Sequence, residues 1–387
     1  MGRIVAVCAC AYHGPMQTQQ PLAMLGGLTA SEFMQRYWQK KPLLVRQAFP
    51  QFAPLLSRKQ LFELAASPEV GSRLVQGQGR DWQMRHGPVG PRQRPPFERP
   101  HWTMLVQGVD LHCQAAADFL QAFRFVPDAR LDDLMVSWAS DGGGVGPHFD
   151  SYDVFLMQAQ GQRRWRYGTQ KDLSLQPDMP LKILASFEPR WDVVLNPGDM
   201  LYLPPRFAHE GTAVGECMTY SVGFRAPSLA ELGRDVLQRL SEQCEDQIKP
   251  RLYADPQQVA VTHPAQMPAS LQAFAQMAVQ QALDQPQALN QALGEVLTEP
   301  KAQVWFEPQS TPRRIRGWVL DARSRMLYDT HHIYLNGESW RASGADARLM
   351  QALADQRGLS AAQWQTASVA AKALLREWGE QGWCHPI

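Results

Sequence analysis

The stretch Gly146-Pro147-His148-Phe149-Asp150-Ser151-Tyr152-Asp153-Val154-Phe155 decides how this chain is read. In an extended segment residues i and i+2 point to the same face, so His148 and Asp150 project together, an imidazole nitrogen beside a carboxylate oxygen. His209 comes fifty-nine residues after Asp150, closing Gly198-Asp199-Met200-Leu201-Tyr202-Leu203-Pro204-Pro205-Arg206-Phe207-Ala208-His209. There a turn delivers a hydrophobic strand, and a Pro-rich bend re-aims the chain before the histidine. Two histidines and a carboxylate on one face of a metal leave three positions open. That is the facial set of the non-haem Fe(II) oxygenases, in which a co-substrate takes two positions and O2 the third. An isolated H-x-D is common; the Gly-rich turn before it and the second histidine after such a segment single this one out.

The surroundings read as short β-type runs. Leu134–Ser140, Val154–Gln158, Arg164–Tyr167, Asp192–Leu195 and Met200–Leu203 are separated by turn clusters at Asp141-Gly142-Gly143-Gly144, Gln160-Gly161-Gln162, Asn196-Pro197-Gly198-Asp199 and Pro204-Pro205. Strands at this spacing predict an antiparallel barrel or sandwich. Within Gln162-Arg163-Arg164-Trp165-Arg166, alternation sets Arg163 and Trp165 on one face and Arg164 and Arg166 on the other. A dicarboxylate chelating the metal at one end needs a cation for its far carboxylate, and a guanidinium fork never deprotonates. Arg163 is the candidate, because an inward Trp165 suits a barrel.

These residues, the Gly-Asp-x-Leu-Tyr-x-Pro-Pro segment and the closing Tyr220-Ser221-Val222-Gly223-Phe224-Arg225-Ala226-Pro227 resemble the JmjC-type 2-oxoglutarate oxygenases, and more narrowly the bacterial ribosomal oxygenases. The resemblance runs from about residue 22 to 387 and is specific in 134–227. It implies an α+β chain: a cupin-like double-stranded β-helix barrel, a helical dimerisation region and a C-terminal winged helix. It implies Fe(II) on His148, Asp150 and His209, with 2-oxoglutarate, held by Arg163, and O2 as co-substrates. The implied reaction is hydroxylation of an arginine side chain in the sixteenth large-subunit ribosomal protein, by a cytoplasmic homodimer. An arginine substrate calls for a carboxylate in the pocket, and Asp141, seven residues before His148, is the candidate; an Asp opening a turn is also ordinary. Two other classes stay open. The same three ligands suit a zinc hydrolase or isomerase, although such an enzyme has no evident use for Arg163. The chain could also be a non-catalytic ribosome- or nucleic-acid-binding factor, or an oxygenase acting on another residue or protein.

Moving outward, Thr29-Ala30-Ser31-Glu32-Phe33 opens a helix, and the Gly-, Arg- and Pro-rich residues 67–101 read as mostly loop and edge. Past Pro227, Leu229, Leu232, Val236, Leu237, Leu240 and Cys244 share a helical face, followed by Leu271, Phe274 and Ala278, then Ala288 and Ala292. So small a helical block buries little alone, which favours a bundle shared with a second copy. In the last part Val304–Phe306, Gly317–Leu320 and the pair His332–Leu335 and Ser339–Ala342 read as strands. Asn336-Gly337 joins the pair as a hairpin, and helices near 345–356 and 360–379 follow, the second opened by the capping box Ser360–Gln363. The expected division is an N-terminal extension over 1–22, a catalytic domain over 23–227, a helical dimerisation region over 228–300 and a winged-helix-like domain over 301–387.

Composition agrees with several folded domains: 387 residues, 44% hydrophobic, with 38 Lys and Arg against 37 Asp and Glu. A net charge of +1 gives no electrostatic footprint for general nucleic-acid or membrane-surface binding. The 301–387 segment carries 11 basic and 8 acidic residues, too little excess for DNA reading, so a protein contact is expected there. No run of about 18 apolar residues suggests a membrane span. Six scattered cysteines, with no C-x-x-C, exclude a structural zinc cluster and fit a reducing compartment. The apolar run after Arg3 imitates a signal peptide but lacks a small-residue cleavage site, and Met16 or Met24 could serve as the start.

Overall fold

The computed structural model describes residues 17–79, 81–247 and 251–387; the apolar run after Arg3, with Cys8 and Cys10, lies outside them. Contacts divide the chain into two units: one up to Ala226 with Ala302–Trp305, the other Pro227–Lys301 with Phe306–Ile387.

Among the described residues, the first unit is built on nine strands: β1 (Leu43–Val45), β2 (Ser72–Gln78), β3 (Asp81–His86), β4 (Trp102–Val106), β5 (Leu131–Ala139), β6 (Val154–Gly168), β7 (Trp191–Leu195), β8 (Met200–Leu203) and β9 (Ala208–Phe224). Their order is β1-β8-β6-β9-β5-β4-β2-β3, with β7 also on β6. The long strands close the barrel. The first part of β6 lies between β8 and β9, its second part between β7 and β9, and all neighbours are antiparallel. The start of β9 pairs with the second part of β6, while its end, from Cys217, runs between β5 and the first part of β6. Both strands thus change neighbours along their length.

Gln160-Gly161-Gln162 does not separate two strands, as its turn chemistry predicts. The register shifts on both sides of Gln160, and β6 continues through the bulge. Gly161 sits at φ 64°, where a Cβ would fall 2.2 Å from the Glu216 carbonyl oxygen. The glycine bends the strand instead of reversing it. Residues 67–101 are also more ordered than predicted, since β2 and β3 form a hairpin with β3 at the sheet edge.

Alternation sorts the side chains. Phe155, Met157, Met200, Tyr202, Tyr220, Val222 and Phe224 are buried in the main core with Phe33, Leu61 and Phe119, which come from α1 (Ala30–Arg36), α2 (Arg58–Ala65) and α3 (Gln114–Leu120). The Phe33 ring meets Tyr202 edge-on at 5.0 Å and Phe155 at 5.5 Å. Helices α1 and α2 start at capping boxes, Thr29 with Glu32 and Ser57 with Gln60. The opposite face gives a separate cluster of Val154, Leu156, Trp165, Tyr167, Leu195, Leu201 and Leu203.

In the second unit, α4 (Leu229–Gln247), α5 (Ala269–Leu283) and α6 (Ala288–Thr298) precede two small sheets. Val236, Leu240, Ala288 and Ala292 pack together, but Leu229 and Leu237 of the expected α4 face are 93% and 59% exposed. Helix α5 buries no residue, and the Cys244 side chain lies outside the described ones. Strands β10 (Trp318–Leu320), β11 (Met326–Tyr328), β12 (His332–Leu335) and β13 (Glu338–Arg341) follow, with β12 and β13 joined at Asn336-Gly337. Then come α7 (Gly344–Gln356), β14 (Gly358–Leu359), α8 (Ala361–Thr366), α9 (Val369–Glu380) and β15 (Cys384–Pro386). The helix expected over 360–379 is two: Ser360 caps α8, and Ser368 accepts the Ala371 N–H to start α9. Val304–Phe306 forms no strand. No described helix is long and apolar enough to cross a membrane.

Candidate metal centre

The H-x-D segment reaches the barrel by pairing with β9. His148 and His209 exchange both backbone hydrogen bonds, His148 N–H to His209 O at 2.9 Å and His209 N–H to His148 O at 2.8 Å. Residues opposed in this way send their side chains to one face, and the imidazole centroids stand 4.2 Å apart. Asp150 follows two residues on, its carbonyl accepting the Arg206 N–H at 2.7 Å. Its Oδ2 lies 3.6 Å from His209 Nε2. One ligand atom from each of His148, Asp150 and His209 falls within 4.8 Å of the others.

Both imidazoles are held in the same way. His148 Nδ1 stands 2.9 Å from the Gly146 carbonyl, and His209 Nδ1 2.9 Å from that of Phe207. A carbonyl only accepts, so each Nδ1 carries the proton and each Nε2 keeps its lone pair for a metal. Burial, and then the neighbouring His148, push the His209 imidazole down to about 4, against the pull of Asp150 and the Phe207 carbonyl. The ring is therefore neutral near pH 7, the form that ligates. Gly146 makes the approach possible: at φ 74°, its Cβ would lie 2.6 Å from Ile183 and 3.0 Å from the Trp82 ring.

Along β6, Tyr167 pairs with His209, Trp165 with Gly211 and Arg163 with Ala213. Trp165 lies 5.9 Å from the His209 ring, and four residues, about 13 Å of strand, separate the His209 level from that of Arg163. Arg163 is 5% exposed. Its Nη1 reaches Ser137 Oγ at 3.4 Å, while its Nε and Nη2 are buried without a hydrogen-bond partner. A buried guanidinium with two unanswered donors is an unusual cost and fits a carboxylate ligand. Arg164 and Arg166 face away and pair with Asp192 and Glu210.

Asp141 is not one of the residues whose ligand atoms cluster with the three candidate ligands. It is exposed, and its Oδ1 accepts the Gly215 N–H of β9 at 2.7 Å, which ties the Asp141 turn to that strand. Beyond the motif residues, a buried polar row lines the barrel beside Arg163. Gln158, Thr219 and Ser137 oppose one another across β6, β9 and β5, and Thr219 Oγ1 donates to Gln158 Oε1 at 2.9 Å. Their signal is a set of polar residues at inward positions of apolar strands, which only the register makes visible.

A JmjC domain model matches residues 118–232, and a ROXA-like winged-helix model matches 280–385. The chain is 41% identical over 241 residues to the ribosomal protein uL16 3-hydroxylase of Escherichia coli, covering 61% of this chain and 62% of that one. It is 38% identical over 211 residues to a probable ribosomal oxygenase of Haemophilus influenzae, covering 53% and 52%. The matched stretch thus spans between half and two thirds of these curated relatives. Among solved structures, that of E. coli ycfD superposes with a TM-score of 0.79 at 32% identity, over 92% of this chain and 98% of that one. The structure of YcfD, a ribosomal oxygenase from E. coli, in complex with cobalt and 2-oxoglutarate gives 0.76 at 31%, over 92% and 98%. At that identity and coverage, with both domain models in place, the chain belongs to the JmjC-domain ribosomal oxygenases.

Proposed function

We propose that this protein is an Fe(II)- and 2-oxoglutarate-dependent oxygenase that hydroxylates an arginine side chain of large-subunit ribosomal protein uL16. The observation that carries this reading is the pairing of a two-histidine, one-carboxylate set with a buried, unanswered guanidinium in the same barrel. A zinc hydrolase needs the first and has no use for the second. His148, Asp150 and His209 would hold the metal, and their donor chemistry fits it: two neutral imidazole nitrogens and one carboxylate oxygen. With 2-oxoglutarate and O2, the iron supplies the oxidising power to place one oxygen atom in an unactivated C–H bond, giving succinate and CO2.

The chain's own residues do the positioning. Arg163 takes the distal carboxylate of 2-oxoglutarate, and the Gly146 and Phe207 carbonyls fix both imidazole tautomers. The apolar wall of Leu156, Trp165, Leu201 and Leu203 keeps water from the reacting centre. Asp141 is the proposed partner of the substrate guanidinium, offered from a turn that the Gly215 N–H anchors. Residues 23–227 would form the catalytic domain, 228–300 the dimerisation region and 301–387 a winged helix contacting protein rather than DNA. A ribosomal-protein substrate supports a cytoplasmic location. The homodimer rests on the exposed apolar residues Leu271, Val279 and Leu283 of α5. Succinate release from the Fe(II)-loaded protein, measured with and without uL16 peptides, tests the reading: release that only an arginine-containing peptide stimulates supports it, and release that no peptide changes refutes it.

A further inference from the structure

Asp153 is a buried acid that the proposed chemistry does not use. It is 0% exposed and stands three residues past Asp150, immediately before β6. Among the described residues, three side chains from separate parts of the chain converge on its carboxylate. Tyr202 of β8 donates to Oδ1 at 2.6 Å, and Gln39, past the end of α1, donates Nε2 to Oδ2 at 3.0 Å. Arg130, just before β5, reaches Oδ2 with its Nη2 at 3.4 Å. The Tyr202 oxygen also accepts the Gln39 N–H at 2.8 Å, so its single proton is committed to Asp153. Burial and the Asp153 carboxylate push the Tyr202 hydroxyl far up, which keeps it a donor. Gln39 is held at φ 56°, a left-handed backbone that a glutamine adopts where its surroundings impose it.

This clamp stands where the two ligand-bearing stretches meet. The Asp153 carbonyl accepts the Phe224 N–H at 3.1 Å and Val154 opposes Gly223, so Asp153 fixes the start of β6 on the end of β9. Arg130 Nε donates to the Arg225 carbonyl just beyond. Upstream, the Asp150 carbonyl is held by the Arg206 N–H at 2.7 Å, in the bend that leads to His209. The span from Asp150 to Asp153 is therefore tied at both ends. Its residues belong to no strand, and Ser151 and Tyr152 between the ties are exposed. The direction of the Asp150 side chain depends on those two ties.

We propose that Asp153 is a positioning residue for the metal centre. Its clamp sets the Asp150 carboxylate against His209 Nε2, 3.6 Å away, and thereby sets the affinity of the site for its metal. The proposal rests on His148, Asp150 and His209 as the ligands.

Mn(II) titration of the full chain, with the free ion followed by electron paramagnetic resonance, reads that affinity, and thermal unfolding of each variant is recorded beside it. Asp153→Asn keeps the volume but sets an amide NH2 against groups that are themselves donors. It should raise the Mn(II) Kd about tenfold or more in protein that still unfolds cooperatively, as loss of a group that orients a metal ligand does. Tyr202→Phe and Gln39→Gly each withdraw one donor and should raise it about threefold. Gln39 is exposed and glycine accepts its backbone, so that variant keeps the test decisive if Asp153→Asn unfolds. Leu61→Ala loosens the same core through α2 and should lower the unfolding temperature with Kd unchanged. A Kd within about twofold of the parent value in the folded clamp variants overturns the proposal, and so does an equal rise in Leu61→Ala. A parent protein that binds no Mn(II), or a His209→Ala variant that binds it equally well, removes the ligand assignment and the proposal with it.

Discussion

Replacing Arg163 with Met should weaken co-substrate binding while leaving metal binding and stability intact. Arg163 is 5% exposed, with one weak contact to Ser137 and two nitrogens unanswered. Once 2-oxoglutarate is bound, its distal carboxylate completes a buried ion pair, and breaking such a pair costs about 3–5 kcal/mol. At about 1.4 kcal/mol per decade, the Kd for 2-oxoglutarate should rise by roughly two to three and a half orders of magnitude. The ligand-free protein should lose no stability, because the substitution removes a buried, uncompensated charge and keeps an apolar stem of similar length. Anaerobic calorimetric titration of 2-oxoglutarate into Mn(II)-loaded protein reads the first effect, and thermal unfolding reads the second. A Kd moved less than threefold would refute the reasoning. So would the same loss in Arg164→Met, whose side chain pairs with Asp192 on the outer face.

His148→Ala or Asp150→Ala should abolish both metal binding and turnover while cooperative unfolding persists, since the ligands sit on a finished barrel; hydroxylation by either purified variant would exclude these residues as ligands. Joint Leu271→Asp and Val279→Asp substitution on α5 should convert a dimer to a monomer by light scattering, and a wild-type monomer at micromolar concentration would reassign those faces. Asp321 gives a pH prediction. Burial works to raise its pKa, but hydrogen bonds from Arg323 and His385 outweigh burial and hold it at about 2, against an ordinary 3.8. The unfolded chain therefore binds the proton first as pH falls, so this stabilisation is complete above the unfolded value and vanishes as pH falls through about 2. Asp321→Asn should cost about 2 kcal/mol at neutral pH and flatten the acid limb of the unfolding curve; an unchanged acid limb would contradict the assignment.

The parts of this molecule legible from sequence are those set by short-range rules. Facing along a strand placed His148 with Asp150 and Arg163 with Trp165. The helix opening at Thr29, the capping box at Ser360–Gln363 and the Asn336-Gly337 turn each follow from a few residues of local chemistry. Features set by neighbours in space were not legible. Gly161 reads as a turn until the Glu216 carbonyl on β9 shows that the chain can only bulge there. The polar row of Gln158, Thr219 and Ser137 exists only because three strands bring the residues into register. The β2–β3 hairpin was hidden because Gly and Arg interrupt its alternation. Ser368 was missed as a cap because α8 and α9 together keep a continuous helical pattern across it.

The central claim, a metal- and 2-oxoglutarate-dependent hydroxylation of a ribosomal protein by this barrel, is tested most directly by mass spectrometry of uL16. Purified uL16 is incubated with the protein, Fe(II), 2-oxoglutarate and O2, and succinate is quantified in the same sample. The account predicts a gain of one oxygen atom on an arginine, matched mole for mole by succinate and absent with His209→Ala. Unmodified uL16 from a folded, metal-loaded enzyme, or oxygen incorporation independent of 2-oxoglutarate, would contradict it.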